Sequence, residues 1–240
     1  MVRALAILAA LCFADSAAAQ CRLALVLALD VSSSVDARED RLQRDGLTSA
    51  LLSPEIVTAF LETPEAPVAL AVYEWSGRYR QTRLLNWTLM DSRAAILSAA
   101  TAISESKRSV NEFPTAMGYA IGHAATVFRE GPECLFRTLD VSGDGINNDG
   151  FGPRLAYRNF PLNGVTVNGL AIGGAAQEDE ALFAFFRNEV IKGPGAFLEI
   201  AEDYDDFERA MRRKLLREVR ARMIGRTDGA GARDGTDSRS

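Results

Sequence analysis

The segment Leu23–Ser34, LALVLALDVSSS, constrains the fold of this chain more than any other stretch. It begins with an unbroken apolar run and turns polar at Asp30, Ser32 and Ser34. An apolar run of this length, without glycine or proline, is typical of a strand that is buried on both faces of a parallel sheet. The polar residues would then lie at the carboxyl end of that strand, where open α/β sheets bind their ligands.

These three polar residues alternate along the chain, so an extended turn can direct their oxygen atoms into one small volume. A ligand set made only of oxygen favours a hard cation such as Mg²⁺ over Zn²⁺ or copper. Ordinary helix capping is the alternative, because Asp and Ser side chains also accept hydrogen bonds from the first turn of a helix. On these residues alone the two interpretations stand equal, and a metal site needs further ligands from elsewhere in the chain.

Residues 1–19 have the composition of an export signal. Arg3 supplies a positive charge, an apolar stretch follows, and Ala17-Ala18-Ala19 offers a small-residue cleavage site. We therefore expect cleavage near Ala19 and a mature protein that is periplasmic or secreted. The apolar stretch is too short to span a bilayer as a stable helix, and no later segment approaches that length, so we expect no stable membrane insertion.

The rest of the chain is predicted to form one domain over residues 20–224, followed by a disordered tail over residues 225–240, where apolar side chains are few. Strand-like runs alternate with helix-like segments, which predicts an α/β fold with a doubly wound, mainly parallel sheet and helices on both faces. The alternation in Tyr79–Leu85 predicts one antiparallel edge strand. The net charge of −5 argues against general affinity for nucleic acids.

Removal of the signal would leave two cysteines, Cys21 and Cys134, each directly before a strand-like run. If the two strands are parallel neighbours, the cysteines lie at matching heights and can form a disulfide in an oxidising compartment. Closing such a loop is worth about 4–5 kcal/mol in the chain-entropy model. Two buried free thiols are the alternative. The chain has no Cys-x-x-Cys pair, so neither a redox motif nor a zinc knuckle is predicted.

Two further segments bring oxygen-bearing side chains to the same edge of the predicted sheet. Thr115 lies at or near the start of a predicted helix, and Asp144 follows a later apolar strand. In a doubly wound sheet the first and fourth strands are adjacent, so Asp30 and Asp144 would face each other across the crevice. Ser32, Ser34 and Thr115 complete the predicted ring of oxygens.

The pattern Asp30-x-Ser32-x-Ser34, followed by Thr115 and then Asp144, resembles the metal-ion-dependent adhesion site of the von Willebrand factor type A domain. The resemblance covers most of residues 22–220 in element order and implies that fold. The segments DVSSSVDAREDRLQRDGL, VYEWSG, DVSGDGINNDG, VNGLAIGG and GPGAF also resemble a bacterial family with this fold whose members carry export signals.

The resemblance implies a role for each of the five residues. Ser32 and Ser34 would bind Mg²⁺ (or Mn²⁺) through their hydroxyls, and Thr115 would do so directly or through water. Asp30 and Asp144 would act mostly through bridging waters. With few carboxylates in direct contact, the ion would keep an open coordination position that an Asp or Glu of a protein partner can fill.

Three residues are predicted to line the rim of the partner-binding face. Glu74 and Trp75 end a predicted strand near the same edge, with core packing as the alternative for Trp75. Asn147 follows the second carboxylate of the site, and a simple turn rich in Asn and Gly is the alternative there.

Two predictions concern helices. Ser53 is expected to cap a short helix that has Pro54 at its first position. The last helix, predicted over Tyr204–Met223, carries a basic cluster that is expected to be a solvated face, with contact to an anionic surface as the alternative. This cluster consists of Arg212, Arg213, Lys214, Arg217 and Arg220.

The prediction that follows is an exported, magnesium-dependent protein-binding module without enzymatic activity. One alternative is a metal-assisted hydrolase of phosphate esters. Against it, no Lys or His is recognisably placed as an acid–base partner, since His123 lies in the middle of a predicted helix, and no glycine-rich phosphate loop follows a strand. The other alternative is a metal-free scaffold in which Asp30 and the serines are caps.

Overall fold

The computed structural model describes residues 21–173 and 177–224, which form a six-stranded sheet with the order β3-β2-β1-β4-β5-β6. Every neighbouring pair is parallel except β2 and β3, and β3 is the antiparallel edge strand. The predicted fold class is therefore confirmed. The strands are β1 (Cys21–Asp30), β2 (Val68–Trp75), β3 (Gln81–Leu89), β4 (Cys134–Gly143), β5 (Val165–Ile172) and β6 (Leu198–Ala201).

Helices cover both faces of the sheet. One face is covered by α1 (Ala37–Leu52), α2 (Pro54–Leu61), α3 (Arg93–Glu105) and α7 (Phe207–Ile224). The other is covered by α4 (Met117–Arg129), α5 (Pro153–Asn159) and α6 (Gln177–Phe185), which continues into a π-helical turn, Phe186–Val190. Within the described ranges, no helix is both long and apolar enough to cross a membrane. The predicted signal (residues 1–19) and tail (residues 225–240) lie outside the described residues.

The central strand β1 is buried along its whole length and supplies both cores. Its large side chains, such as Leu25 and Leu27, point into the core beneath α1 and α7. Its small side chains, such as Ala24 and Ala28, lie in the core beneath α4. Because side chains alternate between the faces of a strand, this sequence packs a bulky layer on one side and lets α4 approach closely on the other.

A disulfide joins the amino ends of β1 and β4. Cys21 and Cys134 are register partners in the parallel ladder, and their Cα atoms are 4.6 Å apart. The predicted pairing is confirmed. Since the bond closes a loop with a sequence separation of 113, it ties the first strand to the middle of the chain.

Two of the helix predictions are wrong in detail. Ser53 takes the N-cap position of α2 and Pro54 follows at the start of the helix, as predicted, but the Ser53 side chain makes no capping bond. Its hydroxyl instead donates to the carbonyl oxygen of Ala50 over 2.8 Å, at the end of α1. Lys214 does not lie on a solvated face: it is fully buried and forms ion pairs with Asp140 and Glu218 at 2.8 and 2.7 Å. The helical period puts Lys214 on the apolar side of α7, where only paired charges are tolerated.

Candidate metal-binding site

The candidate site lies at the carboxyl edge of the sheet, where β1 and β4 end side by side. Asp30 is the last residue of β1, and Ser32 and Ser34 follow it in the loop before α1. Asp144 comes directly after β4, and Thr115 lies just before α4. Ala116, not Thr115, takes the N-cap position of α4, so the threonine hydroxyl is not used as a helix cap.

The five predicted side chains meet in one hydrogen-bonded cluster. The Ser32 N–H donates to Asp30 Oδ1 over 2.8 Å, and the Ser34 hydroxyl donates to Asp144 Oδ1 over 2.7 Å. Ser32 Oγ lies 3.2 Å from Ser34 Oγ and accepts from Thr115 Oγ1, also over 3.2 Å. Three loops therefore contribute oxygen atoms to one small volume.

One side of the cluster is buried in the protein, and the other side is open to solvent. Asp30, Ser32 and Thr115 are buried, whereas Asp144 is half-buried and Ser34 is exposed. A ligand bound at these oxygens would be reached from the side of Ser34 and Asp144.

The electrostatics of the cluster favour a cation. Burial raises the pKa of Asp30 to about 8, and the nearby charge of Asp144 adds to this rise. The Oδ2 atom of Asp30 is buried and has no hydrogen-bond partner among the described residues. A buried carboxylate oxygen without a partner is costly, and a divalent ion would compensate it. The donor set of hydroxyls and carboxylates also suits Mg²⁺ or Mn²⁺.

Two glycines allow the end of β4 and the loop after it to approach the cluster. A Cβ atom on Gly143 would lie 2.8 Å from Asp30 Oδ2, and one on Gly145 would lie 3.2 Å from Thr115 Oγ1. Side chains at these positions would therefore press on the candidate ligands.

Three supporting residues were not predicted from the sequence. Gln43 Nε2 donates to the carbonyl oxygen of Asp30 over 2.9 Å, and Arg108 Nη2 donates to the carbonyl oxygen of Ser32 over 3.0 Å. Tyr204 is buried, and its burial, with the nearby carboxylates of Asp144 and Asp30, raises its pKa. The position of Gln43 on the apolar face of α1 was a usable signal, whereas Arg108 lies in a loop that no periodicity marks. Tyr204 was predicted as the first residue of the last helix but lies in the loop before it, because α7 begins at Phe207.

Asn147, predicted on the rim, is half-buried and holds the start of α4. Its Oδ1 accepts from the N–H of Gly118 over 3.1 Å, and the adjacent Asn148 accepts from the N–H of Thr115 over 2.9 Å. Because Ala116 offers no side-chain cap, these two amides from another loop satisfy free N–H groups at the start of the helix.

Glu74 and Trp75 do not lie on an exposed rim, contrary to the prediction. Both are fully buried, and the alternative of core packing for Trp75 is the one observed. Glu74 pairs with Arg44 and accepts from the N–H of Ser109 over 2.7 Å. They are buried because β2 lies inside the sheet, between β1 and β3, and its end contacts the segment that leads towards α4.

Solved structures share this fold at low sequence identity. Proximal thread matrix protein 1 from the mussel byssus gives a TM-score of 0.60 at 14% identity, over 84% of this chain and 49% of that chain. Another structure of the same protein, with a zinc-occupied metal-ion-dependent adhesion site, gives a TM-score of 0.57 at 16% identity, over 83% of this chain and 46% of that chain. The pilus adhesin SpaC from Lactobacillus rhamnosus GG gives a TM-score of 0.58 at 12% identity, over 84% of this chain and 31% of that chain. The von Willebrand factor type A structure from Catenulispora acidiphila gives a TM-score of 0.57 at 15% identity, over 83% of this chain and 43% of that chain.

At these identities the likeness shows the fold, which is that of the von Willebrand factor type A domain. The chain spans about half or less of the length of each of these proteins. Among curated proteins, none matches the chain by sequence. The family model described as "Protein of unknown function (DUF1194)" matches residues 20–223, and the chain belongs to this family.

Proposed function

We propose that this protein is an exported, metal-dependent protein-binding module that captures a carboxylate of its partner. The observation that carries the proposal is the hydrogen-bonded cluster of five side chains, in which the buried Oδ2 atom of Asp30 has no hydrogen-bond partner among the described residues. Among the proteins with the same fold, one has a zinc-occupied adhesion site and another is a pilus adhesin. The signal-like composition of residues 1–19 supports export.

Each residue of the cluster has a distinct role in this proposal. The hydroxyls of Ser32, Ser34 and Thr115 would ligate Mg²⁺ or Mn²⁺, and the carboxylates of Asp30 and Asp144 would orient the water molecules that complete its shell. When bound, the ion would supply a positive charge with a ligand position for an incoming carboxylate. Because Ser34 and Asp144 form the accessible side, an Asp or Glu of a partner would enter there.

Binding is favoured over hydrolysis by the contacts of two side chains, Arg108 and His123, that could otherwise serve in acid–base chemistry. Arg108 donates through Nε and Nη2 to backbone carbonyl oxygens of its own loop and of the loop after β1. His123 lies in the middle of α4 and packs edge-on against Tyr73, with the ring centroids 5.0 Å apart. Both groups are thus engaged in holding the fold, and neither is placed as an acid or base at the cluster.

The decisive experiment begins with calorimetric titration of the chain with MgCl₂ and with MnCl₂. We expect binding by the wild type and by the control Asp91→Asn, an exposed aspartate outside the cluster, and loss of binding by Asp144→Ala. A pull-down from an envelope fraction should then retain a partner that EDTA releases and that Asp144→Ala does not retain. Absence of metal binding by the wild type would favour the metal-free scaffold.

A further variant, Asp30→Ala, tests the enzymatic alternative. The proposal expects no turnover of p-nitrophenyl phosphate by the magnesium-loaded wild type. Turnover that disappears in Asp30→Ala would assign the site to a metal-assisted hydrolase.

A further inference from the structure

A groove of about 370 Å³ lies beside the candidate metal site, between the turn that joins β2 to β3 and the loop before α4. Its walls combine arginine side chains, aromatic rings and a single carboxylate. The lining residues are Gly77, Arg78, Tyr79, Arg80, Phe113 and Asp149.

The walls of this groove are built from the same loops that carry the candidate ligands. The N–H of Ser33 donates to the carbonyl oxygen of Phe113 over 2.8 Å. The N–H of Asp149 donates to the carbonyl oxygen of Thr115 over 3.2 Å. The groove and the candidate metal site are therefore adjacent, and one partner segment that is long enough would contact both.

The charges in the groove leave one cation without an anion. Arg78 pairs with Asp149 at 2.7 Å. The exposed guanidinium of Arg80 instead lies 4.4 Å from the centroid of the Phe113 ring, and no carboxylate oxygen of residues 21–173 and 177–224 forms an ion pair with it. A guanidinium stacked on a ring keeps its N–H donors free at the edge, where they can bind a carboxylate.

An exposed aromatic side chain flanks this cation. Tyr79 is 83% exposed, yet its ring is held by an edge-on contact with Tyr119, with the centroids 5.6 Å apart. A large exposed ring that is held in place, next to an arginine, has the composition of a protein-binding surface.

We infer that this groove binds a second carboxylate of the partner, so that the ligand is an acidic peptide segment with one carboxylate at the metal and another at Arg80. This inference rests on the proposed function. The groove holds two arginines and one carboxylate, and because Arg78 is paired with Asp149, one uncompensated positive charge, that of Arg80, is left for a ligand. A single positive charge suits one carboxylate better than a polyanion.

The test uses the full chain in saturating MgCl₂ and fluorescein-labelled, terminally blocked, glycine-rich peptides. Each peptide carries one fixed Asp, with Glu or Gln at one of the next several positions, and binding is followed by anisotropy. At one spacing we expect the Glu peptide to bind about threefold to fivefold more tightly than its Gln counterpart. This preference should vanish in Arg80→Gln and remain in Arg93→Gln, an exposed arginine at the start of α3.

The outcomes separate this inference from the function on which it rests. Magnesium-dependent peptide binding without a preference for Glu at any spacing, or a preference that persists in Arg80→Gln, would overturn the inference alone. Absence of magnesium-dependent binding by every peptide would overturn both. Heparin binding that is lost in Arg80→Gln, without a preference for Glu, would assign the groove to a polyanion and also overturn the inference.

Discussion

The hydroxyl of Ser34 donates a hydrogen bond to Asp144 Oδ1 over 2.7 Å, although 110 positions separate the two residues. They meet because β1 and β4 are adjacent parallel strands that end at the same edge of the sheet. The bond joins the two loops of the candidate site, so changes in the packing between these strand ends should act on metal binding.

Gly143→Ala should weaken magnesium binding. The added methyl group would lie 2.8 Å from Asp30 Oδ2, so the carboxylate or the strand end has to move. We expect lower Mg²⁺ affinity in calorimetry and a loss of about 1–3 kcal/mol in the free energy of unfolding. Gly152→Ala is the control, because a Cβ atom there meets no atom within 4 Å. Unchanged affinity in Gly143→Ala would contradict this account of the site.

Lys214→Ala should destabilise the protein far more than Arg213→Ala. Lys214 is fully buried between the carboxylates of Asp140 and Glu218, so its removal leaves buried charges unpaired. Breaking such a pair costs about 3–5 kcal/mol. The side chain of Arg213 is 59% exposed in its pair with Glu199, and an exposed pair is worth about 0–1 kcal/mol. Urea unfolding of both variants measures the difference, and equal losses would refute the distinction.

The stability of the protein should depend on pH through Asp140. Burial raises the pKa of this carboxyl to about 7, although Lys214 opposes the rise. Between about pH 4 and pH 7 the folded state then binds more protons than the unfolded state, so the contribution of Asp140 to stability falls as the pH rises. In Asp140→Asn this contribution is absent.

The measurement is the free energy of unfolding of Asp140→Asn minus that of the wild type. This difference should increase from about pH 4 to about pH 7 and stay constant above. Other titrating groups, including Asp30, are present in both proteins and cancel to first order. A difference that does not change with pH would show that Asp140 does not titrate in this range.

Reduction of the disulfide should lower stability. The bond between Cys21 and Cys134 closes a long loop, for which the chain-entropy model gives about 4–5 kcal/mol. Urea unfolding of the protein without residues 1–19, with and without dithiothreitol, measures the loss. The double variant with serine at both positions controls for other effects of the reductant and should not respond to it. Two free thiols in the unfolded, unreduced protein would contradict the pairing.

Features that depend on local pattern were predictable from the sequence. The apolar run that forms β1 and the polar residues directly after it indicated a buried strand that ends at a ligand site. The pairing of Cys21 with Cys134 was predictable because each cysteine directly precedes a strand. If the two strands are parallel neighbours, the cysteines lie at the same height in the sheet. The order of Asp30, Ser32, Ser34, Thr115 and Asp144 identified the side chains that the structure brings together.

Features that depend on contacts between distant segments were decided by the tertiary structure. Glu74 and Trp75 looked accessible at the end of a strand, but they are buried because β2 lies within the sheet and Ser109 contacts Glu74 from another segment. Lys214 looked solvated, but it pairs with Asp140 on β4. Local sequence determines the strands, the helices and the residues at their ends. Only packing determines which charges face each other, because burial and pairing arise from segments that are remote along the chain.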